Sequence, residues 1–454
     1  MFTAYTISRK AVSFFLFLCV FAGRSVSQQT AQQSGTDREI TRAQSRVHMS
    51  PRDPAGYALL GEAYLQKGRE TNDASYYDLA KDALQRSLDL YAGDPLSAVP
   101  ATHMAVAMMA EHRFHDALDW SNRALAFGLG DPAPWAIVGD AWTDLGEYAK
   151  AAEAYAKLVP ALEGRVGHDS RRPLIYERDA RMSYLHFING DTRSAISSME
   201  SAVRRAVTDH LPAENIAWSY YQLGEQFFQA GDLPSAERAQ QKALSIDPHS
   251  YRALAGLAKV RAAQGKLEQA AELYEDALRV VPVAEYAANL GDVYTQLGRA
   301  KEAKKNYGLV EFIGFLSALN QSLNNRELAL YYADHDFKLG EALEFAKKEL
   351  EVRRDVYSWD ILAWAYYKNG KPEEAAEAMS HALARGTRDA LFYFHAGIIS
   401  QDSGKLDEAK RYLKLALETN PHFHVVYAGM ASERLALLEH LSGAGGLEEN
   451  ADAQ

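Results

Sequence analysis

Apolar or small residues fall three or four positions apart at Trp135, Val138, Gly139 and Trp142. The same spacing returns at Tyr220, Leu223, Gly224 and Phe227, and again at Trp359, Leu362, Ala363 and Tyr366. This is the period of one face of an α-helix. A second pattern follows the first along the chain. The segments GDLPSAERAQQKALSIDP (231–248), GKLEQAAELYEDALRVVP (265–282) and GKLDEAKRYLKLALETNP (404–421) each run from Gly to Ala in five residues, to a second Ala in seven more and to Pro in a further five. Tracing the first of these alanines gives Ala80, Ala117, Ala151, Ala195, Ala236, Ala270, Ala303, Ala342, Ala375 and Ala409, with 33 or 34 residues as the shortest interval. The predicted unit is a pair of helices repeated about ten times.

A period of about 34 residues with this pattern resembles the tetratricopeptide repeat family over residues 54–422. The resemblance implies an all-α fold, a right-handed superhelical solenoid of about ten helix-turn-helix repeats whose concave groove binds peptides. The residue types have physical reasons. Gly139, Gly224, Gly291 and Gly397 sit mid-helix, where Gly costs about 1 kcal/mol relative to Ala, a cost offset if another helix packs against the missing side chain. Gly at 146, 190, 231, 265, 298, 370 and 404 falls between helices, where a left-handed residue ends the first one. Pro248, Pro282 and Pro421 stop the second helix.

Some repeats depart from the pattern. The first carries the insertion RETNDASYY; the second has His112 at the turn glycine and the eighth has Phe337. Spacers are expected near 159–175, 203–215 and 311–325, with the long apolar helix KEAKKNYGLVEFIGFLSAL covering the gap before the eighth repeat. Stacked repeats need polar-faced ends; a capping helix is expected over 38–53 and another over 423–442, with a disordered tail over 443–454.

The start of the chain reads differently. Arg9 and Lys10 precede the apolar run AVSFFLFLCVFAG, and SVS closes it at Ser27. The run is too short to span a bilayer and fits the core of a secretory signal peptide. Residues 1–27 are therefore read as a signal cleaved after Ser27, and 28–37 as a flexible linker, which makes the protein exported, periplasmic or secreted. Losing Arg9, Lys10 and Arg24 leaves 46 basic against 60 acidic side chains, a net charge of −14. Such a surface repels nucleic acid and anionic lipid, so neither nucleic acid nor stable membrane insertion is expected. The sole cysteine, Cys19, leaves with the signal, and with it disulfides, zinc-thiolate sites and a cysteine nucleophile.

The triplet Asp334-His335-Asp336 invites a catalytic or metal reading, but successive helical residues turn by about 100° and these three fan apart. Helical rotation separates a packed face from an opposite one, which in the resembled family lines the groove. Reading that opposite face gives two aromatic patches: Tyr184, Phe187, Trp218, Tyr221 and Phe228, then Tyr331, Asp334, His335, Tyr357, Asp360, Trp364, Tyr367 and Phe394. Large aromatics on a non-packing face suit partner binding. Where chaperone-tail-binding members carry Lys or Asn, this chain has Glu62, Asp140, Glu225 and Asp292, which points to a basic or neutral partner.

No other constellation adds chemistry. His112, His115 and Asp116 flank a turn, His422 and His424 lie in a terminal linker, and no G-x-S-x-G, Walker loop, His-Glu-x-x-His or G-x-G-x-x-G occurs. The expectation is an exported scaffold or adaptor that binds protein or peptide partners through its concave groove, with no catalytic residue, metal or cofactor. Its rivals are a carrier or sensor of a small ligand (peptide, glycan or hydrophobic molecule), which needs an enclosed pocket, and a hydrolase built on Asp334, His335 and Asp360.

Overall fold

The computed structural model describes residues 35–71, 73–159, 172–319 and 325–448. The proposed signal peptide and most of the 28–37 linker lie outside these residues, as do 160–171, 320–324 and the last six positions. Among the described residues the regular structure is helical throughout. A leading helix α1 (Gly35–Met49) is followed by helix pairs, each an A helix and a B helix. The first five are α2 (Pro54–Thr71) with α3 (Ser75–Tyr91), α4 (Ala98–Ala110) with α5 (Phe114–Ala126), α6 (Pro134–Asp144) with α7 (Tyr148–Ala156), α8 (Arg172–Ile188) with α9 (Thr192–Thr208), and α10 (Ala213–Gln229) with α11 (Leu233–Ile246). The next three are α12 (Tyr251–Ala263) with α13 (Leu267–Val280), α14 (Ala284–Gln296) with α15 (Ala300–Leu319), and α16 (Asn325–Asp334) with α17 (Leu339–Val352). Then come α18 (Val356–Lys368) with α19 (Pro372–Leu383), α20 (Ala390–Asp402) with α21 (Leu406–Thr419), and a closing helix α22 (Tyr427–Glu448). The segment 203–215 is the end of α9, a short turn and the start of α10. Helix α22 continues through 443–448, where a disordered tail was expected.

Small residues set the spacing within a pair. A Cβ on Gly139 would collide with Tyr155, on Gly224 with Gln240, on Gly291 with Tyr307 and on Gly397 with Leu413. In each case the opposing side chain lies sixteen residues later on the B helix, so one packing contact recurs along the array. The freed space is also used for polar bonding. Tyr155 Oη donates to Asp140 Oδ1 at 2.8 Å and Tyr307 Oη to Asp292 Oδ1 at 2.8 Å.

The turn glycines at 146, 190, 231, 265, 298, 370 and 404 all take φ between +69° and +77°, and His112 replaces one of them at φ +57°. The eighth repeat differs from the expectation. Its left-handed turn residue is Asp336 (φ +50°), not Phe337, and an additional left-handed residue, Lys338 (φ +44°), precedes α17. Asp tolerates that backbone region better than Phe does.

The solenoid closes on itself. The α6–α7 turn meets the α17–α18 junction: Arg354 N donates to Asp144 O at 2.9 Å, Val356 N to Tyr148 Oη at 3.0 Å, and Arg353 Nε pairs with Asp144 Oδ1 at 2.9 Å. The α8–α9 turn meets the α19–α20 junction, with Thr387 Oγ1 donating to Ile188 O at 2.5 Å. The α10–α11 turn meets the segment after α21, where Asn420 Nδ2 donates to Phe228 O at 2.8 Å. At all three places a glycine makes the approach possible: a Cβ on Gly146, Gly190 or Gly231 would run into the backbone oxygen of Arg354, Gly386 or Thr419. The turn glycines 265, 298, 370 and 404 have nothing within 4 Å of that position. Apolar packing crosses the same seam, since Val356 and Phe392 join the cluster of Tyr148, Leu185 and Ile188.

Candidate partner-binding face

Closure turns the concave face, formed by the A helices, into an interior. Tyr184 of the fourth repeat and Tyr357 of the ninth become neighbours there, although the sequence placed them in separate patches. Tyr357 packs edge-on to Phe392 at 5.0 Å. Burial pushes the phenols of Tyr184, Tyr221 and Tyr357 well above their ordinary value. All three keep part of their surface accessible, so they line the interior instead of filling it.

Six of the thirteen predicted groove residues are packing residues. Phe187, Phe228, Tyr331, Asp360, Trp364 and Phe394 are buried, Phe394 completely. Trp218 is half-buried against the Met199 and Leu223 cluster. The rotation rule that selected them treats each repeat alone, whereas neighbouring coils and the C-terminal segment cover this face. Tyr184, Tyr221, Tyr357, Tyr367, Asp334 and His335 remain half-buried and border the interior.

The acids expected to greet a basic partner are largely spoken for. Asp140 receives both Arg181 Nε (2.8 Å) and Nη2 (2.9 Å), Glu225 receives Lys259 Nζ at 2.5 Å, and Asp292 bonds His335 Nε2 at 2.9 Å. In each case the partner comes from the A helix of the following repeat, so these pairs lock successive repeats together.

The triplet resolves in the same way. Asp334 accepts from Trp364 Nε1 and from Tyr427 Oη, both at 2.8 Å. His335 holds Asp292 and, through Nδ1, the carbonyl of Tyr331 at 2.8 Å. Asp336 turns outward to Lys368 at 2.7 Å. Asp360 pairs with His395 Nδ1 at 2.9 Å, so the Asp334, His335 and Asp360 carboxylates and imidazole do not assemble as a triad. Among the described residues no three His, Asp or Glu side chains converge as a metal site.

What covers the second patch is the chain itself. Between α21 and α22 the segment 420–427 enters the concave face of the last four repeats. The Tyr427 ring stacks on Phe394 at 4.7 Å, meets Trp364 edge-on at 6.3 Å and stacks with His424 at 4.6 Å; Phe423 lies 5.9 Å from Phe394. His424 Nδ1 accepts from Val426 N (3.2 Å) and Tyr427 N (3.3 Å), capping α22, and its Nε2 approaches Asp292 at 3.9 Å. Sequence reasoning treated His424 only as a poor metal ligand and Tyr427 only as part of a cap. The available signal was a Phe-His-x-x-Tyr run starting two residues after the last repeat's Pro421.

Family models described as tetratricopeptide repeat match residues 227–290, 284–310 and 362–422. Residues 227–310 and 362–422 carry tetratricopeptide repeats. A TPR repeat-containing protein of Methanocaldococcus jannaschii is 24% identical over 322 residues, 63% of this chain and 56% of the relative. The chain thus spans little more than half the length of that tetratricopeptide protein. Similar solved structures include the APC/C hetero-tetramer Cut9-Hcn1, at 15% identity and TM-score 0.34 over 88% of this chain and 92% of that one. A tetratricopeptide repeat protein from Parabacteroides merdae matches at 20% identity and TM-score 0.34 over 58% and 99%. MamA matches at 22% and 0.30 over 40% and 96%.

Proposed function

We propose that this chain is an exported, non-catalytic adaptor that recognises protein partners through the concave face of its repeats. One observation carries the reading: the A helices of repeats eight to ten hold a polypeptide segment, residues 420–427, by stacking on Phe394, an edge-on contact with Trp364 and a hydrogen bond to Asp334. A face built to hold one segment of chain has the chemistry to hold another. Tetratricopeptide repeats are typical of interaction scaffolds. The charge of the chain without its first 27 residues favours partners that are neutral or basic, and the signal-like character of those residues supports a periplasmic or secreted location.

The carrier reading has less support. Cavities of about 40 Å³ beside Tyr221, Lys259 and Tyr274 and about 200 Å³ beside Met379, Ile399 and Tyr412 are below the usual range of small-molecule sites. Among the described residues no helix is long and apolar enough to cross a membrane.

Photocrosslinking tests the adaptor reading. A photoreactive amino acid at Tyr367, on the rim of the concave face, is expected to capture a discrete set of envelope proteins that the same group at Lys414, on the outer B-helix surface, does not. Equal capture from both positions, or capture from Lys414 alone, would move the binding surface elsewhere.

A further inference from the structure

The segment in the groove is poorly suited to be a permanent part of the core. Its first point, Asn420, is fully buried and bonded across the seam to Phe228 O, so it is a fixed pivot. Beyond it, the residues of 427–440 that reach the core are Tyr427, Ala431 and Leu438, with Leu435 partly buried beside them. Leu437 and Met430 face solvent. The helix contains Gly429, Gly443, Gly445 and Gly446, and Gly443, in its interior, is about 1 kcal/mol worse than Ala. Its N-terminal cap is a side chain, His424, that exists only while the segment is folded in place.

The surface beneath has a definite chemistry. Lifting the segment uncovers Trp364 and Phe394, and Asp334 loses its Tyr427 donor while keeping that of Trp364. An aromatic floor with a carboxylate short of one donor selects an aromatic side chain that carries a hydroxyl or N–H.

We propose that residues 421–448 are a resident plug of the concave face of repeats seven to ten, displaced by a partner protein that offers an amphipathic helix with a Tyr or Trp donor for Asp334. The partner competes with an intramolecular ligand held at high effective concentration, so the unplugged fraction sets its apparent affinity. This rests on the concave face being the partner site.

The test uses the full chain and a fluorescein-labelled peptide of residues 421–440, followed by anisotropy. The Tyr427→Ala chain, checked by circular dichroism to remain helical, binds the peptide at least about ten-fold more tightly than the unaltered chain does. The peptide carrying Tyr427→Ala loses that binding. Equal affinity of the two chains, or no binding by a folded variant, overturns the proposal. Hydrogen exchange on the unaltered chain gives an independent reading: amides of 427–440 exchange ahead of those in α21 if the plug opens locally, and exchange at the same rate would contradict it. Photocrosslinking at Tyr367 separates the two claims. Capture unaffected by Tyr427→Ala leaves the adaptor reading standing without the plug, whereas peptide displacement with no captured protein leaves a plug without a partner.

Discussion

Tyr427 Oη donates a 2.8 Å hydrogen bond to the carboxylate of Asp334, ninety-three residues earlier, in the concave face where the sequence placed a partner groove. Burial raises the Asp334 pKa despite His395, His424, Tyr427 and Trp364 acting in the opposite sense. Tyr427→Phe keeps the stacking on Phe394 and deletes only the donor. The expected loss is about 1–3 kcal/mol, the cost of a buried acceptor left short, read as an earlier urea transition of the C-terminal repeats. An unshifted transition would mean water replaces the hydroxyl.

The seam predicts a difference between two glycines of the same backbone conformation. Gly190 (φ +76°) and Gly404 (φ +75°) both pay about 1–2 kcal/mol for Ala in the left-handed region, but only Gly190 faces another coil, at the Gly386 oxygen. Gly190→Ala is expected to lower the melting temperature more than Gly404→Ala and to enlarge the radius of gyration in solution scattering. Equal effects would indicate that the coils do not touch.

The inter-repeat pairs predict unequal costs for two arginines. Arg181→Ala strips half-buried Asp140 of a bidentate partner and should cost about 1–3 kcal/mol. Arg204→Ala removes an exposed pair with Glu200 at 3.8 Å and should cost about 0–1 kcal/mol. Denaturant titration of the two variants separates them, and similar values would contradict the locking role.

The two histidines on Asp292 titrate in opposite directions. Burial lowers His424, with His395 and His335 adding to the effect and Asp292 and Asp334 opposing it. For His335 burial is outweighed by Asp292, the Tyr331 carbonyl and Asp334, and the pKa rises. An exposed His424 takes a proton near the ordinary 6.5 while the docked one does not, so acidification below that value favours release of the segment. His335 contributes stability that is full below 6.5 and is lost as pH rises through its raised value. Histidine NMR titration is expected to place His335 above His424; the reverse order would be inconsistent with this geometry.

The repeat period was legible because it is local: Gly224 and Gln240, or Gly397 and Leu413, stand sixteen residues apart and recur in phase. Closure was not legible. Gly146 and Gly404 occupy the same turn position with φ of +77° and +75°, and nothing nearby in sequence marks the first as touching Arg354. The fate of the acids was hidden for a related reason. Asp140, Glu225 and Asp292 share one repeat position, but their partners Arg181, Lys259 and His335 do not. Rotation about one helix axis separates a packed face from an opposite one, while what covers the opposite face depends on contacts between distant residues, from Tyr427 with Asp334 to Arg354 with Asp144.

Closure is tested most directly by the distance between spin labels placed across the seam. Cys19 is the sole cysteine and lies in the proposed signal segment, so Arg193→Cys and Arg388→Cys in the chain from Gln28 onward give one defined pair on exposed positions beside Gly190 and Gly386. Electron–electron resonance on that doubly labelled protein is expected to return a single short, narrow distance. A long or broad distribution would mean an open superhelix in solution, with the concave face accessible along its length, and would contradict the enclosed interior described above.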